Sequence, residues 1–276
     1  MKKKAILLTV VILLSAGPLA QAQEGGLSGT VDLTYKSKYI WRGYDWFDND
    51  HSALQLGANI NIADTGFGLS IINTRAISSG DGILGIPNQD LERLNVSLYY
   101  DNVIYEDETY ATNYRLGWVY YNLPDNSPRF ADMQEIFVSL SWPKLCPAGV
   151  VPSYTILRMW PSKSNSTLSS IVDASGWLHI LGIGYDLTVP ELTPEISEQV
   201  VHLSADLVYN GGVGAGYAGN GSVDNDWSHL VFGISTEYDL GNNLTFCPGL
   251  YFQASMEDTV NNDDETWIGL SLKYKF

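Results

Sequence analysis

Eight basic side chains are spaced so that alternation along extended segments turns them to one face: Lys36, Lys38, Arg42, Arg93, Arg115, Arg158, Lys273 and Lys275. Asp186, Asp206, Glu237 and Asp239 share that phase on later segments. Charges gathered on one face of a curled sheet break no bonds. They set a field, orient polar solutes and discriminate between ions. If the first and last segments are neighbours, Lys36, Lys38 and Arg42 lie beside Lys273 and Lys275. That basic wall would face the acids across an interior, giving a transverse field. The competing reading is that these charges pair and plug the interior.

Other residues that could do chemistry carry weaker patterns. Asp45, Asp48 and Asp50 occupy one polar stretch, and Glu257, Asp258, Asp263, Asp264 and Glu265 another. Oxygen-rich clusters can hold calcium, but neither stretch has calcium-loop spacing, so a solvated acidic rim is expected. Gly214-Ala215-Gly216-Tyr217-Ala218-Gly219 matches G-x-G-x-x-G. With no βαβ unit around it, it reads as a glycine-rich loop and not a nucleotide site. No zinc motif and no G-x-S-x-G is present, and no cofactor or metal is implied.

The elements that must position these residues are strands. The last eleven residues, Thr266–Phe276, alternate Thr266, Ile268, Leu270, Leu272, Tyr274 and Phe276 against Trp267, Gly269, Ser271, Lys273 and Lys275. One face suits lipid and the other water. Alternation and turn residues give twelve such segments: 27–43, 52–63, 66–77, 91–104, 109–121, 133–143, 151–160, 176–188, 199–209, 228–240, 244–255 and 265–276. The phase of 151–160 is set only by keeping Arg158 inside. The connections fall into two kinds. Those at 64–65, 105–108, 144–150, 189–198 and 241–243 are mostly short. Those at 44–51, 78–90, 122–132, 161–175, 210–227 and 256–264 are long and polar. Short turns at one end and long loops at the other define a closed antiparallel transmembrane β-barrel of the outer-membrane kind. Residues 23–276 form that barrel.

Residues 1–22 read as a secretory signal. Lys2, Lys3 and Lys4 precede an apolar run from Ala5 to Ala16, and Ala20-Gln21-Ala22 offers a cleavage site. Removing those three lysines takes the formal charge from −16 to −19. Such a balance argues against nucleic acid as a partner. The implied location is the bacterial outer membrane, with lipid and lipopolysaccharide around the wall. The two cysteines, Cys146 and Cys247, fall near turns on one side, where a disulfide is open but not required. Every barrel has a broad apolar flank, so lipid and a second copy of the chain fit it equally well.

The first segment contains Ser37-Lys38-Tyr39-Ile40-Trp41-Arg42-Gly43, and Gln55 follows in the next. This resembles the opening of the TorF-like outer-membrane porin family, whose members carry a Ser-x-Tyr-x-x-Arg-Gly core, a loop and a Gln-containing amphipathic strand. The match covers about thirty residues. It implies a barrel and a pore, without naming a solute. The aromatic Phe276 at the end of the chain also resembles the signal by which outer-membrane proteins are recognised by the barrel-assembly machinery.

The resulting expectation is a porin-like channel for small polar or charged solutes and not an enzyme. The alternatives are a non-conducting structural or adhesive platform, or a rim enzyme. For the last, a barrel phospholipase needs a His and a Ser two apart on the lipid face. His51-Ser52 has the wrong spacing, and His179 and His229 lack a convincing Ser. Asp226 and His229 are placed where a rim protease would hold an Asp–His pair, though a structural role fits them better.

Overall fold

The computed structural model describes residues 26–47, 51–77, 92–124, 132–162, 175–191, 198–214 and 223–276. The expected signal segment lies outside them, as do Asp48, Asp50 and residues 215–219 of the glycine-rich loop. The strands are β1 (Leu27–Lys36), β2 (Ile40–Trp41), β3 (Tyr44–Asp45), β4 (Ala53–Ile62), β5 (Phe67–Ala76), β6 (Glu92–Ile104), β7 (Thr112–Asn122), β8 (Met133–Ser141), β9 (Val150–Pro161), β10 (Gly176–Val189), β11 (Gln199–Gly211), β12 (Asn225–Thr236), β13 (Tyr238–Gly241), β14 (Leu244–Ser255) and β15 (Glu265–Lys275).

Each neighbour in the wall is antiparallel to the next. β1 pairs with β4 on one side and β15 on the other, so the sheet closes. β12 and β13 both pair with β14 and act as one stave interrupted at Glu237. The result is a closed barrel of twelve staves. Alternation explains the wall. On β15, Ile268 and Leu272 are each 42% exposed, whereas Trp267 and Ser271 are 9% and 8%. Greasy side chains are therefore on the outside, which is stable only against lipid. The short connections and the long ones sort to opposite ends, as alternation and turn residues indicate.

The first stave departs from expectation. It ends at Lys36 instead of running to Gly43. The chain then turns into the barrel as the hairpin β2–β3, whose strands pair Ile40 with Asp45 and Trp41 with Tyr44. Its two-residue turn holds Arg42 at φ 55° and Gly43 at φ 91°. A turn with both central residues left-handed matches strand twist and favours Gly at the second position. A Cβ on Gly43 would also come within 2.6 Å of His229 Nδ1.

The hairpin gives the lumen a core. Tyr39, Trp46 and Phe47 pack with Ala53 and Leu123. Trp41 bridges this group to a second one that includes Tyr121, Met133, Leu157, Met159, Leu178 and Val213. Burying an aromatic such as Phe47, only 1% exposed, contributes about 2–3 kcal/mol. Several such rings hold the hairpin inside against the entropy of ordering it.

Candidate functional site: the luminal constriction and vestibule

Arg93 lies at the centre of the constriction. It comes from β6, opposite Thr74 on β5, and is 1% exposed. Its guanidinium carbon lies 4.0 Å from the Trp41 ring centre, 4.8 Å from Trp46 and 4.5 Å from Tyr121. Nε donates to Asn95 Oδ1 at 2.9 Å, while Nη1 and Nη2 have no hydrogen-bond partner. Ring faces are negative and attract a cation, more strongly where water is excluded. Arg93 thus ties wall to hairpin through Trp41 and Trp46.

Arg42, at the hairpin tip, reaches the far wall. Its Nη2 donates to both carboxylate oxygens of Glu135 on β8 at 2.9 Å, and Tyr121 Oη donates to Glu135 Oε2 at 2.9 Å. The Glu135 side chain is 2% exposed. A carboxylate buried this deeply must be paired and hydrogen-bonded. Around the ring, Lys38 Nζ donates to Glu265 Oε2 at 2.8 Å. Lys36 Nζ lies 5.3 Å from the Tyr39 ring. Gly43 O accepts from Gln253 Nε2 at 2.8 Å and from Asn261 Nδ2 at 3.2 Å. Tyr44 Oη donates to Val213 O at 2.9 Å. The loop between β14 and β15 therefore meets the first loop, as the sequence implies.

Below the hairpin the lumen is open, with polar side chains set among apolar ones such as Ile72, Val119, Phe137 and Ile180. A cavity of 370 Å³ lies against Trp41, Arg42, Tyr121 and Glu135, with Asn95, Ser97, Ser139 and Thr155 in its wall. A second, of 710 Å³, continues toward the short-turn end past Ser139 and Thr155 to Asn113, Ser141, Ser153, Arg115 and Asp101. Arg115 donates to Asp101 through Nε and Nη2, each at 2.6 Å, and lies over the Tyr99 ring at 4.3 Å.

The predicted wall-against-wall field is corrected by the pairing register. Lys36 pairs with Gly269, and Lys273 pairs with Asp32. Four residues separate the two heights, roughly 13 Å along a strand. Lys36, Lys38 and Arg42 belong to the constriction, whereas Lys273 and Lys275 stand near the short-turn mouth. Nor do the four acids form one opposing wall, since Glu237 and Asp239 stand beside Lys273. Lys273 Nζ donates to Glu237 Oε1 at 2.9 Å on the same side of the barrel. Asp186 Oδ1 and His202 Nδ1 are 2.6 Å apart. Asp239 Oδ1 accepts from Gly241 N at 2.8 Å. Asp206 projects over Gly182 at mid-strand, with Ser153 on the other side.

Arg158 is a second correction. It pairs with Trp177 and sits between Leu157 and Met159, 1% and 0% exposed, which face inward. Arg158 therefore points to lipid. Keeping a charge inside was the wrong guide to the phase of β9.

The rim-enzyme candidates separate. Ser228 Oγ is 2.8 Å from His229 Nδ1, so His229 does have a serine neighbour. Both are buried, at 1% and 3%; His229 faces the hairpin at Gly43, and Ser228 Oγ donates to Val208 O. Asp226 is exposed and accepts from Trp227 N. His179 meets Tyr154 Oη at 2.7 Å on the outer wall. Cys146 and Cys247 are both free thiols. Among the described residues no group of three or more His, Cys, Asp or Glu is placed to hold a metal ion.

Glu135, Tyr121 and Trp41 are the residues the sequence reading missed. Glu135 had a signal, since it alternates with Ile136 on β8. Trp41 had the opposite one, because an uninterrupted first strand would have turned it to lipid.

No family model and no curated protein matches the chain. Solved structures do. The NanC porin aligns over 90% of this chain and 100% of its own, at 12% identity and a TM-score of 0.52. LpxR from Salmonella typhimurium aligns over 90% and 100%, at 12% identity and 0.49. Outer membrane phospholipase A from Escherichia coli aligns over 89% and 92%, at 14% identity and 0.44. At such identities the likeness to the NanC porin establishes the fold alone: this chain is an outer-membrane-type β-barrel.

Proposed function

We propose that the protein is a narrow outer-membrane channel for small polar or charged solutes, restricted by its own first loop. The observation that carries this reading is the open lumen beneath the hairpin, which runs from the short-turn end up to the charged pair Arg42 and Glu135. A barrel that only displayed loops would have no use for an open half-bore that carries Asn95, Ser97, Ser139, Ser141 and Thr155 among its lining residues. Residues 37–43, which resemble the opening of TorF-like porins, support the same reading, because Arg42 and Gly43 of that core form the turn that enters the bore. Its mechanism is diffusion past a movable constriction, with selectivity set by Arg42, Lys36 and Lys38.

A second reading, the non-conducting platform, is favoured by one observation: the aromatic core of the hairpin fills the long-loop half of the lumen. Single-channel recording of the refolded barrel in a planar bilayer decides between them. Discrete current steps are expected. A folded, heat-modifiable barrel that stays silent at every voltage would sink the channel and leave the platform.

A further inference from the structure

Arg158 stands three residues from the long-loop end of β9, on the lipid-facing side. A guanidinium facing lipid is costly at the bilayer centre and tolerated near the headgroups, where it can find a phosphate or water. Its surroundings are as specific as its position. The guanidinium carbon lies 5.6 Å from the Trp177 ring. Trp160 is next outward on the same strand face. One strand further, His179 meets Tyr209 edge-on at 6.1 Å, and Tyr209 meets Trp227 at 5.5 Å. From β7 through β11, the lipid-facing positions of the described strands hold no acid. Those of β1, β4, β14 and β15 hold no Trp, Arg or Lys. The Trp residues of the girdle therefore gather on one side, around Arg158, whereas the other lipid-facing arginine of the described strands, Arg75 on β5, stands opposite Glu92.

We propose that this face, across β9, β10 and β11, binds the phosphorylated sugar headgroup of one lipopolysaccharide molecule. Arg158 is the phosphate ligand and the Trp177 ring the platform for a sugar. A guanidinium presents parallel N–H donors that fit a phosphate. Trp and Tyr suit the headgroup level, where one edge is dry and the other wet. A phospholipid offers the phosphate without a sugar ring to stack on Trp177.

Native mass spectrometry of the refolded barrel tests this with three probes: diphosphorylated lipid A, the same lipid dephosphorylated, and phosphatidylglycerol. Heat-modifiability verifies that each variant is folded. The wild type is expected to hold one diphosphorylated lipid A. Arg158→Ala should weaken that by about tenfold or more, Arg158→Lys by less, and Arg75→Ala on β5 not at all. On the wild type, dephosphorylated lipid A should bind as weakly as the phosphorylated lipid binds Arg158→Ala; this arm needs no variant to fold. Equal binding of the two forms of lipid A, or no effect of Arg158→Ala, overturns the site. Phosphatidylglycerol binding equally well through Arg158 overturns the lipopolysaccharide assignment. Dimers that vanish in Arg158→Ala would make the face a subunit contact instead.

Discussion

Burying a guanidinium costs several kcal/mol unless its charge is answered, and Arg93 is answered at contact by rings, with no carboxylate hydrogen-bonded to it. Each ring contact in a dry site is worth up to about 2 kcal/mol, so loss of Arg93 removes the main tie between hairpin and wall. In the proposed channel, Arg93→Ala is expected to raise the open probability about tenfold, since roughly 1.4 kcal/mol suffices for that factor. Unchanged gating in a folded Arg93→Ala barrel would show that the hairpin is held elsewhere. Arg42 acts differently. Removing it leaves the Glu135 carboxylate without its bidentate partner, bound only by Tyr121 Oη and facing the cavity. Arg42→Ala should therefore shift the reversal potential in a salt gradient toward cation preference. Glu135→Gln should shift it toward anions. Identical reversal potentials in all three proteins would remove both residues from the conduction path.

The hairpin β2–β3 is the element that separates this barrel from an open tube, and its turn is its weak point. Gly43 sits at φ 91°, with His229 and Val260 within 2.8 Å of where a Cβ would be. Gly43→Ala combines left-handed strain of about 1–2 kcal/mol with a clash against buried groups. It is expected to loosen the hairpin without unfolding the wall, which would register as increased conductance with unchanged heat-modifiability. Full loss of the folded band would mean that wall and hairpin fold as one unit. This element also marks the boundary of what was legible in the sequence. Wall strands declare themselves because a two-residue period must match lipid outside and water inside, and β15 satisfies it apart from Thr266 and Trp267 at its start. The hairpin follows no such rule. Tyr39, Ile40 and Trp41 continue the alternation of β1, and only the Arg42–Gly43 turn and the aromatic run Tyr44–Phe47 mark the reversal. Arg158 failed for a related reason. A charge on a strand is ordinarily lumen-facing, and near the headgroups that expectation gives way.

At the scale of the molecule the lumen is asymmetric, closed by rings at the long-loop end and open among hydroxyls at the other. This asymmetry can be read with a thiol reagent. Cys247 faces the lumen on β14, opposite Ser271, with its Sγ 3.5 Å from Glu237 Oε1 beside Lys273. Cys146 lies in a short turn outside the bore, between β8 and β9, and is removed by Cys146→Ser. In that background a bulky charged thiol reagent should reach Cys247 from the short-turn side and lower the current. Added from the long-loop side, it should be stopped by Trp41, Arg93 and the Arg42–Glu135 pair. Combining Cys146→Ser with Arg93→Ala should make the block two-sided. The comparison separates a constriction in the long-loop half from one formed by the paired charges near the short-turn mouth. If Lys273 and Glu237 were the barrier, Arg93→Ala would not alter which side the reagent reaches. Equal reaction from both sides in the Cys146→Ser protein would mean that the hairpin does not occlude the bore in a membrane, and the asymmetry of the lumen would then have no bearing on passage.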